Sequence, residues 1–267
     1  MNNSTEDTPD HEPLPDTDEV LEETSLVSHL IELRDRLIRI SLSILVVFLC
    51  LFPFSEEIFT LVAQPLINQL PESSTMIATQ VASPFLIPFK TTLWVALFIS
   101  MPVVIYQTWA FVAPGLYSKE KRFAIPLVVS SIILFYCGIG FAYGVVFPLM
   151  FAFFNSVAPE GVAVMTDINN YLDFVLVIFF AFGMAFEVPI ATVMLVWSGL
   201  TTPAKLGEAR AYVFLGAFVA GMLLTPPDII SQTLLAVPIY LLYEVGIIMS
   251  RIMLPAEKPD ESESAAP

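Results

Sequence analysis

Five carboxylates are set apart by where they fall. Glu187 is fourteenth in an apolar run of 24 residues, at the depth of a bilayer centre, with Pro189 two residues on. An ionised acid there costs about 2.5–3.5 kcal/mol on insertion scales. It is therefore either protonated or facing water or a polar partner; the structural alternative is a bond to a neighbouring helix or to the carbonyl freed by Pro189. Glu32 and Glu120 instead sit among cations: Arg34 and Arg36 follow the first, and Lys119 and Lys121 flank the second. Two such acids on one face could grip guanidinium groups by bidentate, charge-assisted bonds selective for Arg over Lys. Asp228 follows two prolines and precedes an apolar run, where a carboxylate can accept the free N–H groups of a helix start. Gln232, one turn later, could offer an uncharged hydrogen bond to an incoming helix or spend it inside its own bundle. Glu244, nearer a span end, can snorkel to the interface.

Catalytic chemistry has no comparable foothold. No phosphate-binding loop, HExxH zinc motif, GxSxG nucleophile elbow or dinucleotide fingerprint occurs. The two histidines, His11 and His29, cannot form a Ser, His and Asp constellation at membrane depth. Cys50 and Cys137 each lie inside an apolar run, so they read as small membrane-buried side chains and not as a zinc site or disulfide framework. No enzyme, metal, cofactor or nucleic-acid partner is expected.

The elements that must position these residues are membrane helices. The chain has 267 residues, 56% hydrophobic and 14% charged, with a mean hydropathy of +0.77; soluble domains carry about 25% charge. Residues 1–24 hold nine acids and no Lys or Arg, and residues 255–267 hold four acids and Lys258. The low pI therefore describes two tails around a nearly neutral centre. About 20 apolar residues cross the hydrocarbon core, and six runs qualify or nearly so: 37–54, 91–113, 123–154, 174–197, 212–224 and 229–250. The third, about 48 Å as a helix, must tilt, bend or project. The fifth, about 20 Å, cannot span an undisturbed bilayer, which predicts local thinning around helices five and six. Residues 56–89 carry a helical apolar face interrupted by Gln64 and Pro65 and read as an external cap in the interface. Leu26, Leu30, Leu33 and Leu37 form a stripe that reads as an amphipathic interfacial helix. Gly140-x-x-x-Gly144 and Ala217-x-x-x-Gly221 suit close helix packing.

Orientation follows from Lys and Arg. Ten of the eleven, including Arg34, Arg36, Arg39, Arg122 and Arg210, fall on one side of this arrangement and only Lys90 on the other, which puts both termini in the cytosol. The acidic start lacks a basic flank and cleavage site, so no signal or transit peptide is expected. The fold expected is an all-α integral membrane protein with six transmembrane helices, both termini cytosolic, short fifth and sixth helices and an external interfacial cap. Residues 1–24 and 253–267 are expected as disordered acidic tails around a 25–252 membrane domain.

Several strings recur together: His29-Leu-Ile-Glu32-Leu-Arg34, Ser83-Pro84-Phe85, Tyr106-Gln107-x-Trp109-x-Phe111-x-x-Pro114-x-Leu116, Phe186-Glu187-x-Pro189 and Thr225-Pro226-Pro227-Asp228. In this order and topology the chain resembles the TatC family, signal-peptide receptors of the twin-arginine protein translocase, over about residues 25–252. The resemblance implies a receptor in the bacterial inner membrane that binds Arg-Arg signal peptides of folded proteins at its cytosolic face. It further implies assembly with TatA-like and TatB-like single-span proteins, self-association, and transport driven by the proton motive force. Carried over by motif, Glu32 and Glu120 look like the acids that hold the arginine pair, with Arg34, Phe111 and Arg122 around them. Glu187 matches the intramembrane glutamate, Pro65 and Asp228 positions in the external cap and turn, and Thr225 and Gln232 the region that receives partner helices. Gln80 departs from the acidic residue the pattern has there. The competing reading is a proton-coupled small-molecule permease using Glu187, against which stands the lack of an internal repeat.

Overall fold

In a computed structural model, residues 17–67, 77–116, 124–157, 167–225 and 228–253 are described. Apart from short turns and connections they are helical, with one isolated bridge between Ile77 and Asp167. In chain order the helices are α1 (Thr17–Leu51), α2 (Ser55–Ile67), α3 (Ser83–Leu116), α4 (Ala124–Phe141), α5 (Phe147–Val157), α6 (Ile168–Ala185), α7 (Val188–Trp197), α8 (Pro203–Glu208), α9 (Arg210–Leu224) and α10 (Ile229–Met253). α1 begins inside the stretch read from sequence as an acidic tail. Five segments are long and apolar enough to cross a membrane, and α9, at 15 residues, is a shorter sixth.

Prolines explain how the apolar runs break or fail to break. Pro102 leaves the Phe98 carbonyl of α3 without its helical N–H, and the Tyr136 hydroxyl of α4 donates to that oxygen at 3.0 Å. α3 therefore runs on for 34 residues, starting eight residues before the expected span. The third run is not a uniform α-helix: a π-helical segment, Ala142–Val146, separates α4 from α5 just before Pro148. The fourth breaks at Phe186 and Glu187, where Pro189 starts α7.

Two expectations are corrected. The sixth helix is not short: α10 has 25 residues, about 37 Å, because Pro238 lies inside it without ending it. The segment 56–89, read as an external cap in the interface, does not start as an element separate from the first span. α2 continues α1 after a single 3₁₀ turn, Phe52–Phe54, whose Pro53 fits the first turn of a helix.

The core gathers on the α6–α7 span, half of whose most apolar stretch is enclosed. Phe135, Phe147, Val175, Ile178, Phe182 and Leu235 are buried there. α1 packs on α3, α4 on α6, and α10 on α7 and α9. Glycines set three of these contacts. A Cβ on Gly138 would lie 2.9 Å from the Phe182 carbonyl carbon, one on Gly246 would lie 2.9 Å from Pro189 Cα, and one on Gly221 would lie 3.1 Å from Gln232 Cγ. Of the two small-residue spacings only Ala217 and Gly221 pack; Gly140 and Gly144 face open space.

Of the leucine stripe of α1, Leu30 and Leu37 are exposed and Leu33 is half-buried, and Leu42 and Leu45 continue the exposed face further along the helix, as suits a helix whose outer solvent is lipid. It is the polar side, through Arg36, that meets α3.

Candidate functional site

Midway along α1, one guanidinium organises the contact with α3. Arg36 donates from Nε and Nη2 to Glu32 Oε1, at 3.0 and 2.5 Å, one helical turn back. Its Nη1 donates to Gln107 Oε1 at 3.2 Å, and Nη2 also to the Ala110 carbonyl at 3.0 Å. Ala110 is the residue whose helical partner would be the N–H that Pro114 lacks. The Arg36 side chain is 16% exposed and that of Glu32 38%. Beside them the His29 and Phe111 rings stack with centroids 4.3 Å apart.

The expected peptide-binding residues thus divide. Glu32 and Phe111 come to the same end of the α1–α3 pair. Arg34 turns outward, 68% exposed and, among the described residues, paired only with its neighbour Asp35. Glu120 and Arg122 lie outside the described residues. Pro65 falls within α2.

Deeper in the bundle, the Trp109 indole N–H donates to Ser131 Oγ at 3.0 Å. Ser131 is fully buried and also reaches the Glu187 carboxyl, whose Oε1 is buried without a hydrogen-bond partner. The sequence placed Glu187 against a proline-freed carbonyl or a neighbouring helix; the neighbour is α4, through Ser131.

At the far end of α9 and α10, Asp228 caps α10: the Ser231 N–H donates to its Oδ1 at 2.7 Å. Gln232 follows the within-bundle alternative, its amide donating to the Phe218 carbonyl at 2.7 Å. Thr225 is buried, with its hydroxyl on the Gly221 carbonyl at 2.8 Å. Glu244 lies in the C-terminal half of α10 and is paired. It is held by Arg210 and by the Tyr240 hydroxyl at 2.9 Å.

At the end of the bundle opposite Glu32, Asp167 caps α6 through the N–H groups of Asn169 and Asn170, at 2.9 and 3.1 Å. Its other oxygen accepts the Thr79 hydroxyl at 2.5 Å and the Thr79 N–H at 3.2 Å. The Thr79 hydroxyl is the main cause holding this carboxyl below the usual carboxylate range. Lys90, the lone cation expected outside, pairs with Asp173. Among the described residues no group of His, Cys, Asp and Glu could hold a metal ion, and Cys50 and Cys137 are free and exposed.

A sequence model of the family described as Sec-independent protein translocase protein (TatC) matches residues 28–238. The chain belongs to the TatC family. It is 57% identical over 249 residues to the Sec-independent protein translocase protein TatC of Azotobacter chroococcum mcd 1, covering 93% of this chain and 96% of that one. To the protein of the same name from Escherichia coli (strain K12) it is 58% identical over 226 residues, covering 85% and 88%. A crystal structure of the twin arginine translocase receptor TatC matches with a TM-score of 0.76 and 38% identity, over 84% of this chain and 98% of that one. This TatC-family chain is accordingly a component of a Tat protein translocase and a multi-pass protein of the bacterial inner membrane. It is a transport component and not an enzyme, and that membership sets aside the permease reading.

Arg36 and Ser131 are the two site residues that motif reading missed. Arg36 entered the sequence argument only as a positive charge, although Glu32 and Arg36 have the i,i+4 spacing that pairs charges on a helix. Ser131 left no signal, because its role depends on α4 meeting both α3 and the break before α7.

Proposed function

We propose that this chain is the receptor that binds Arg-Arg signal peptides of folded proteins. The observation that carries the reading is the Glu32 carboxylate, part-exposed beside the stacked His29 and Phe111 rings at the end of the bundle where Arg34, Arg36 and Arg39 concentrate. By the distribution of Lys and Arg this end and both termini face the cytosol. Glu32, together with Glu120, holds the arginine pair by charge-assisted hydrogen bonds, and Arg34, Phe111 and Arg122 complete the surface. TatA-like and TatB-like single-span helices join at the α9–α10 side near Thr225 and Gln232, further copies of the chain join in the complex, and the proton motive force drives transport. Pro65 and Asp228 shape the outer cap and turn, while Glu187 presents an open acceptor within the membrane. Residues 25–252 form the working domain.

The test is photo-crosslinking of a twin-arginine signal peptide to the full chain in membranes, comparing wild type with Glu32→Ala and Glu120→Ala at matched protein levels. Loss of contact in both variants is expected. Unchanged contact in both would remove these acids from the site.

A further inference from the structure

We infer that Arg36 is a positioning residue for peptide recognition: it clamps one oxygen of Glu32 and leaves the other aimed at the incoming arginine. The inference rests on the receptor reading and adds a residue to that site. A resident guanidinium on the acid meant to hold a peptide guanidinium has two possible roles. It is either a placeholder that the ligand must displace or a fixture that orients the acid, and the geometry decides between them.

Arg36 is anchored from two helices. Besides Glu32 it satisfies Gln107 Oε1 and the Ala110 carbonyl, an oxygen that Pro114 leaves without its helical partner. Displacing it would strip three acceptors at once and leave a largely buried cation unpaired, which is strongly unfavourable. Both of its bonds to Glu32 fall on Oε1, and Oε2 has no hydrogen bond among the described residues. A carboxylate has room to accept from more than one donor group. Glu32 is also the more exposed member of the pair. A free glutamate on a helix surface samples several rotamers, whereas this one is held before the ligand arrives, which lowers the entropic cost of binding. Gln107 and Pro114 then acquire a joint purpose: they hold the arginine that holds the glutamate.

The experiment measures the affinity of a synthetic twin-arginine signal peptide, with a Lys-Lys peptide as control, for the full chain in membrane vesicles. The variants are Glu32→Gln, Arg36→Gln, Arg36→Lys, Gln107→Leu and the Glu32→Gln/Arg36→Gln double variant. Loss of binding in Glu32→Gln tests the receptor reading by itself. If Arg36 acts through Glu32, Arg36→Gln weakens binding by about tenfold or more, the loss typical of a charge-assisted bond. Arg36→Lys, which lacks the planar fork, restores only part of it, and Gln107→Leu gives a smaller loss in the same direction. The double variant is then no weaker than Glu32→Gln alone. Tighter binding in Arg36→Gln would make Arg36 a placeholder and overturn the proposal. Losses that simply add in the double variant would reduce Arg36 to a structural role and overturn it equally. Glu32→Gln binding as tightly as wild type would remove the reading on which both stand.

Discussion

Arg210 holds both carboxylate oxygens of Glu244, with Nε 2.7 Å from Oε1 and Nη2 2.9 Å from Oε2, across the gap between α9 and α10. With the Gln232 bond to the Phe218 carbonyl, it ties the short α9 to the long α10 at two separated points. Arg210→Lys keeps the charge and loses the fork. Spin labels on cysteines introduced at the exposed positions Tyr212 and Leu241, with Cys50 and Cys137 replaced, should report a broader distance distribution in that variant. An unchanged distribution would mean that the Gln232 bond and side-chain packing alone fix α9.

Gly138 lies against the Phe182 carbonyl with no room for a Cβ. Gly138→Ala should lower the stability of the detergent-solubilised protein by about 1–3 kcal/mol through overpacking, because the neighbour that must give way is backbone. Gly144→Ala meets nothing within 4 Å and should be neutral or slightly stabilising. Thermal unfolding of the two variants side by side checks the contrast, and equal shifts would contradict it.

Glu187 has a buried oxygen with no partner, which is a stability cost that an apolar side chain of similar length avoids. Glu187→Met should leave thermal stability equal or raise it by about 1 kcal/mol while reducing transport. A variant that loses stability and transport together would make this acid a structural member of the bundle.

Asp167 has a carboxyl held low, first by the Thr79 hydroxyl. A depressed folded value means that its contribution is present above the unfolded value of about 3.9 and is lost as pH falls through the lower folded value. The tie between residues 77–79 and the start of α6 should therefore be unchanged from about pH 8 to about pH 5 and open only in stronger acid. In Thr79→Val it should open at a higher pH. Mobility of a spin label at Ala78→Cys reads this, and loosening already between neutral pH and about pH 5 would refute it.

Span number and order were legible because about 20 apolar residues bracketed by charge have few other fates. The cap at Asp228 was legible for a local reason, the free N–H groups of a helix start, whereas the fourth run was read as unbroken although the N–H that Pro189 lacks lies inside it. The stripe of leucines on α1 showed which face is apolar but not what covers it, because an interfacial helix and a lipid-facing one share the same stripe; the α1–α3 contact adds that the polar side is the one that meets α3. Gly140 and Gly144 misled for the same reason, since spacing names a face without saying whether another helix covers it. Arg36 required two helices to be seen together. Its partners Gln107 and Ala110 are more than 70 residues away in the chain.

The π segment at Ala142–Val146 has its own consequence for mutagenesis. There the Phe147 N–H reaches back five residues to Ala142, so the helix advances one residue without completing the usual turn. This resets the angular phase of everything after it and turns Phe147, Met150 and Phe151 into the core. An even α-helical winding over the same residues would rotate those side chains by about 100° toward lipid, whereas deleting one residue of the segment would restore an even winding and leave them in the core. The stretch therefore tolerates the loss of one residue better than a gain, whatever the identity of its exposed side chains, Tyr143 and Val145 among them.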